Sequence, residues 1–194
     1  MQREDYIPDA VIGDLDSARP EVLEYYKSKG SQVVHVESQD NTDLDKVLAF
    51  VAEKDDIAPT RKIVIYGAFG GRVDQMFSAI GTLTRLQPTT EVEVILMDSW
   101  STMVLLLPGK HAIFPSQTLE SKISCGFYPI CSANSMVATQ GLKWNVGDIS
   151  QTPPVLQEIS YQGLISTSNE ITGDHVVIET SQPLLWSTTV NNLP

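Results

Sequence analysis

The chain has 194 residues, enough for one large domain or two small ones with a real core. Its formal net charge of −11 argues against nucleic acid as a partner, because phosphate backbones demand clustered Lys and Arg. No apolar stretch approaches the length of a membrane span, and the first residues lack the apolar segment of a signal peptide. No membrane partner and a cytoplasmic location are therefore expected.

Residues 6–12 read as a linker running into a strand that ends in V-I-G-D-L-D-S. Where a strand ends the chain leaves the pleat, so Asp14 and Asp16 need not alternate faces and can converge on one hard cation such as Mg²⁺. The same residue types also serve turns and helix starts, so the pair does not decide the matter by itself. Pro20 suits the first turn of a helix and Gly30 its stop, which predicts a helix over 20–29. A β-branched run at 32–36 predicts the next strand. Thr42 and Asp45 then form a capping-box pattern, and Leu44, Val47, Leu48 and Val51 recur at helical spacing. A strand over 62–66 leads through G-A-F-G-G-R-V-D-Q into a third helix whose apolar face carries Met76, Ile80 and Leu83. Three strand-to-helix junctions thus bear ligand-type side chains. In a parallel α/β sheet such junctions share the edge where ligands bind.

After Pro88 the pattern changes. Strands are expected at 91–97 and 102–107, with a turn at Pro108-Gly109. Short β-type runs follow at 122–125, 136–139, 155–161, 163–166, 175–179 and 184–188, separated by turn residues at the spacing of a small sandwich or barrel. The predicted architecture is an α/β domain with a parallel, Rossmann-like sheet over 1–98, followed by an all-β sandwich domain over 99–194. Two cysteines and three scattered histidines do not suggest zinc or a Cys/His nucleophile, and Cys125 and Cys131 are expected in the core.

Six motifs in order, G-D-L-D-S (13–17), Q-D-N-T-D-L-D-K (39–46), G-G-R-V-D-Q (70–75), G-L-K-W-N (141–145), S-T-S-N-E (166–170) and P-L-L-W (183–186), resemble the thiamine pyrophosphokinases. E-V-L-E-Y-Y-K-S-K-G (21–30) brings the similarity nearest to the eukaryotic enzymes. The resemblance implies transfer of pyrophosphate from ATP to the hydroxyl of thiamine, with Mg²⁺ as cofactor. It further implies an α/β catalytic domain, a β-sandwich thiamine-binding domain, and a homodimer whose active site lies between subunits. Motif by motif, Asp14, Asp16 and Asp43 would hold metal and phosphate, with Asp40 a helper. Gln39, Thr42, Arg72, Asp74 and Gln75 would line the nucleotide, Arg72 also taking developing charge. Ser168, Asn169 and Trp186 would hold thiamine. Trp186 could present a flat face to the cationic thiazolium or serve as a core residue of the sandwich; for Trp100 and Trp144 the core is expected.

Some features depart from the family pattern. Only twelve residues precede Gly13, where family members usually carry further strands and an Asp-Gly-Gly-Ala-Asn-like turn. The expectation drawn from this is a shortened isoform, a displaced gene start or a fragment. Gly81, Ser38 and Ser181 replace a frequent Asn, an acidic residue and an Asp. A second reading is a truncated, non-catalytic relative that binds thiamine or dimerises without ATP turnover. A third takes V-I-G-D-L-D-S as the nucleophile turn of a haloacid-dehalogenase-like phosphatase, which the all-β second half does not support.

Overall fold

A parallel pair of strands cannot be joined by a tight turn, and the first crossover shows the consequence. Strand β1 (Ala10–Gly13) runs into helix α1 (Pro20–Ser28), which returns the chain to β2 (Gln32–His35) in parallel register from Ala10 opposite Gln32 to Gly13 opposite His35. Pro20 opens α1, and Gly30, at φ +96°, lets the chain turn out of it. Helix α2 (Asp43–Ala52) starts on Thr42, whose hydroxyl accepts the Asp45 N–H at 3.2 Å while its own N–H donates to Asp45 Oδ2 at 3.2 Å. The capping box read from sequence is thus formed, and α2 packs against β1. This computed structural model describes residues 6–38, 41–53, 62–115 and 122–190. The chain divides into two compact units, Met1–Ala58 and Pro59–Pro194, and β1 to α2 lie in the first.

The second unit opens with β3 (Ile63–Tyr66), α3 (Val73–Leu86) and β4 (Val94–Met97), with β3 and β4 parallel. Leu83, Val94 and Leu96, all fully buried, come from α3 and the strand beside it. Strand β5 (Ser101–Leu106) then reverses direction. Only 98–100 separate it from β4, and Asp98 Oδ1 accepts the N–H groups of Trp100 and Ser101 at 2.7 and 2.6 Å. A link that short permits only an antiparallel partner.

The remaining strands are β6 (Gly109–Ile113), β7 (Ser124–Tyr128), β8 (Asn134–Gln140), β9 (Gln157–Ser160), β10 (Ser166–Glu170), β11 (Val176–Thr180) and β12 (Leu184–Thr189). They form two sheets. One has six strands in the order β10-β7-β12-β5-β4-β3, the other four in the order β6-β11-β8-β9. Leu106, Phe127 and Trp186 from the first meet Val137, Ile159, Val176 and Ile178 from the second in one buried cluster. Two inner faces sharing a core make a sandwich.

The architecture corrects the expected single parallel sheet. Among the described residues the parallel pairs are β1 with β2 and β3 with β4; these belong to separate sheets, and β4 continues antiparallel into the strands of the sandwich. No helix among the described residues is long and apolar enough to cross a membrane.

Candidate functional site

The end of β1 and the start of α2 build an acidic site around a residue that the sequence reading left without a role. Lys46 lies one turn into α2 from Asp43, and its side chain is only 3% exposed. A buried ammonium needs partners. Its Nζ is 3.1 Å from Asp43 Oδ1 and 3.6 Å from Asp14 Oδ2, so two of the expected carboxylates gather on one cation. The Asp14 N–H also points to Asp43 Oδ1, at 3.4 Å. Gly13 makes room for this: a Cβ there would lie 3.1 Å from the Asp43 carboxyl carbon and oxygen. The signal for Lys46 was its i, i+3 spacing from Asp43.

Asp16 joins through its backbone, donating its N–H to Asp14 Oδ1 at 3.3 Å. Leu15, between them, sits at φ +57°, a left-handed conformation that costs a β-carbon residue on the order of 1 kcal/mol and is found where a turn is held for a purpose. The Asp16 N–H, and then the charge of Lys46, hold the Asp14 carboxyl below the usual carboxylate range against the opposing effect of desolvation. Among the described residues no three His, Cys, Asp or Glu side chains are grouped to enclose a metal. The arrangement is a pair of carboxylates on a lysine. Thr42 caps α2, its hydroxyl donating to Asp45 Oδ2 at 2.8 Å. Gln39 and Asp40 lie outside the described residues.

In the second unit the glycine-rich turn before α3 is shaped by Gly67, Gly70 and Gly71, all at positive φ, and is tied back by N–H bonds from Gly67 and Ala68 to the Met97 carbonyl. Arg72 is the N-cap of α3, with Asp74 and Gln75 in its first turn. Arg72 Nε donates to Asp74 Oδ1 at 3.1 Å and Nη2 to the other oxygen, a two-point pair that holds the Asp74 carboxyl low and the guanidinium high. Both side chains are exposed.

The expected thiamine residues do not behave alike. Ser168 is exposed at φ +54°, inside a bulge where β10 slips against β7. Asn169 is 2% exposed, and its amide is engaged on every side. Oδ1 accepts the N–H groups of Trp144 at 3.2 Å and Glu170 at 2.9 Å, while Nδ2 donates to the Trp144 carbonyl and to Ser166 Oγ, each at 2.9 Å. Trp186 is 3% exposed and stacked on Phe127 with centroids 6.3 Å apart, inside the sandwich core.

The tryptophans expected in the core are on the surface instead, Trp144 at 55% and Trp100 at 75% exposure. The reason is local. Both sit in tight connections whose backbone bonds leave the indole outside, whereas Trp186 points between two sheets. Lys143 Nζ lies 4.8 Å from the centre of the Trp144 ring and 3.3 Å from Glu170 Oε2. At the other end of this turn Gly141, at φ +92°, is pressed so close to the His175 carbonyl that a Cβ would strike it. The cysteines split as well: Cys125 is buried and its thiol pushed up to about 12 by desolvation, while Cys131 is exposed, contrary to expectation.

Two family models match the chain in succession: "Thiamin pyrophosphokinase, catalytic domain" over residues 1–96 and "Thiamin pyrophosphokinase, vitamin B1 binding domain" over 110–185. "Thiamine pyrophosphokinase 3" of Oryza sativa subsp. japonica is 36% identical over 95% of this chain and 67% of its own length. "Thiamine pyrophosphokinase 1" of Arabidopsis thaliana is 34% identical, with 97% and 67% covered. Among solved structures, yeast thiamin pyrophosphokinase superposes with a TM-score of 0.82 at 21% identity, covering 96% of this chain and 71% of that one. The Candida albicans protein gives 0.78 at 23%, covering 98% and 75%.

Proposed function

The chain belongs to the thiamin pyrophosphokinase family, and from that premise we propose that it transfers the pyrophosphoryl group of ATP to the hydroxyl of thiamine. The hydroxyl oxygen attacks the β-phosphorus, the bond from the bridging oxygen to that phosphorus breaks, and AMP leaves. The hydroxyl proton passes to a carboxylate or to water. The observation that carries the reading is the succession of both domain models along one chain whose relatives share 30–36% identity over most of its length. Membership also displaces the phosphatase reading of V-I-G-D-L-D-S.

Phosphoryl-type transfer needs positioning and charge neutralisation more than a covalent nucleophile. The residues are suited to that. The Asp14 carboxyl is held below its ordinary range, which fits a charge-bearing ligand better than a proton acceptor. Asp14 and Asp43 already gather round a cation, the Lys46 ammonium, and both offer hard oxygen atoms. This donor set fits Mg²⁺, which is commonly held by one or two carboxylates and completes its shell with water and substrate phosphates. Asp14, Asp43 and the neighbouring Asp16 would hold it. When bound, the ion supplies neutralisation of charge on the phosphate oxygens.

Arg72, Asp74, Gln75 and Thr42, with Gln39, are assigned to the nucleotide and its phosphates. For Arg72 this means exchanging Asp74 for a phosphate oxygen, which its planar fork matches equally well. Ser168 and Asn169 are assigned to thiamine, Asn169 acting from beneath the surface, and Trp186 supports them from the core. We keep the division of labour read from sequence, catalysis in 1–98 and thiamine binding in 99–194. A homodimer with its active site between subunits and a cytoplasmic location belong to the same proposal.

The test is direct. Purified protein incubated with ATP, Mg²⁺ and thiamine should release AMP and thiamine diphosphate in equal amounts; ADP or free phosphate in place of AMP refutes the reaction. Calorimetry separates the non-catalytic alternative, for which thiamine would bind and Mg·ATP would not.

A further inference from the structure

We propose that Lys46 is a positioning residue that holds Asp14 and Asp43 together as a resident counter-ion, and that its charge makes this pair disfavour a bare divalent cation while accepting one that arrives on a polyphosphate. This deepens the functional reading above, on which it rests, by naming the form in which metal is taken.

The ammonium is built into the site from beneath. Its side chain is 3% exposed, whereas those of Asp14 and Asp43 are 24% and 60% exposed, so the cation is covered and the carboxylates face outward. A charge taken that far out of water is tolerated only with close partners. Lys46 finds them on two separate elements, the turn after β1 and the first turn of α2, at 3.6 and 3.1 Å. Without it the two carboxylates are like charges side by side, and the Asp14 N–H, 3.4 Å from Asp43 Oδ1, is a long bond to hold them by itself.

The surrounding chain is shaped for the same contact. Thr42 and Asp45 close the capping box that fixes the start of α2, which sets Asp43 and Lys46 three residues apart on a common side of the helix. Gly13 keeps the space beside Asp43 clear, since a Cβ there would lie 3.1 Å from the carboxyl group.

The sign of the ammonium's effect depends on what approaches. A free divalent cation meets two carboxylates that already share a positive charge, and that charge repels it. A complex such as Mg·ATP brings net negative charge on its phosphates, and the same ammonium attracts it. Mg²⁺ also dehydrates reluctantly and usually keeps substrate phosphates in its shell. An acidic pair partly neutralised from beneath therefore suits the complex better than the ion.

Two titrations of the full chain test this: Mn²⁺ alone, followed by the EPR signal of the free ion, and Mg·ATP without thiamine, followed by calorimetry. One unit charge about 4 Å away is worth about 5-fold in affinity in water-like surroundings and more where water is excluded, so K46M should tighten Mn²⁺ and weaken Mg·ATP, each by about that factor. K46Q, which also loses the charge but still donates hydrogen bonds, should shift both the same way as K46M, and K46R should lie between these variants and wild type. A lysine that only packs α2 cannot give opposite shifts, because loosening the helix weakens both ligands. If either shift is missing, or the two run in the same direction, the role of Lys46 is overturned, while release of AMP and thiamine diphosphate by wild type leaves the family activity standing. Should no neutral variant fold, a wild type that binds Mn²⁺ alone as tightly as Mg·ATP overturns it by itself. A wild type that does not bind Mg·ATP overturns the functional reading as well.

Discussion

Asn169→Ala offers the sharpest separation of scaffold from ligand contact. The substitution removes two bonds that cross the fold, both to the Trp144 backbone, and two local bonds, one to Ser166 Oγ on the same strand and one from the Glu170 N–H. At about 1 kcal/mol net for each of the bonds to Trp144 and Ser166, the loss is about 3 kcal/mol. Ser166 is buried and left without this donor, which pushes the figure upward; the Trp144 backbone groups are nearer to solvent and recover some water, which pulls it down. For a chain of this length each kcal/mol moves the melting temperature by roughly 2–4 °C, so a drop of about 6–12 °C is expected in a circular-dichroism melt. Asn169→Asp keeps the acceptor but turns the donor toward the Trp144 carbonyl into a charge. Its damage should be greatest at neutral pH and should shrink as acid protonates the carboxyl, because the neutral form can donate again. An Asn169→Ala variant that melts within about 1 °C of wild type while losing thiamine would refute the reasoning, since a free side chain touching ligand behaves that way and a saturated hub does not.

Trp186→Ala should cost about 3–5 kcal/mol as a core cavity, seen in urea denaturation; loss of thiamine binding at unchanged stability would return the indole to the ligand site. Lys46→Met should let the Asp14 carboxyl titrate closer to its ordinary range, followed by NMR, because the Asp16 N–H remains but the ammonium is gone; it should also raise KM for Mg·ATP, and Lys46→Arg should restore part of both. An unmoved Asp14 titration would show that the lysine is only a packing group. Asp14, Asp74 and Asp148 all have carboxyls held low, Asp148 by Ser150 and Gln151. Depressed groups contribute stability that is fully present above the ordinary value of 3.8 and is lost as pH falls through their lower folded values. The acid limb of stability should therefore steepen below about pH 4, and Asp148→Asn should flatten it; an unchanged limb would refute Asp148's share.

Much of the first half was legible because its signals are local. Pro20, the Thr42–Asp45 box and the stripe from Leu44 to Val51 act within a few residues of where they stand, and the helices follow them. The second half depends on partners far away in sequence. Beyond the turn expected at Pro108-Gly109 nothing in the sequence marks strand β6, because Lys110 and His111 supply no apolar alternation at a sheet edge. The run expected at 163–166 lies instead at Ser166–Glu170, since S-T-S-N-E owes its extended state to pairing with β7 and to the bulge at Ser168. Burial of large amphipathic rings is equally non-local: Trp186 is 3% exposed between the two sheets and Trp144 is 55% exposed, although residue type alone suggested the core for both. At the acid site, the carboxylates could be named from residue type and position at a strand end. That Lys46 would be drawn under them could not, because it depends on α2 lying against β1.

The turn over 141–145 is fastened at both ends. At one, the Gly141 carbonyl accepts N–H bonds from Thr172 and Gly173, and its backbone fits against His175 with no room for a side chain; at the other, Asn169 grips Trp144 from two sides. A surface built this way loses its conformational freedom when the chain folds, before any ligand arrives. Ordering a mobile aromatic side chain and its loop at the moment of contact costs on the order of 0.5–1.5 kcal/mol per side chain, and here that entropy has already been surrendered. A ligand that contacts this turn should therefore bind with an entropy less unfavourable than a loose loop would give.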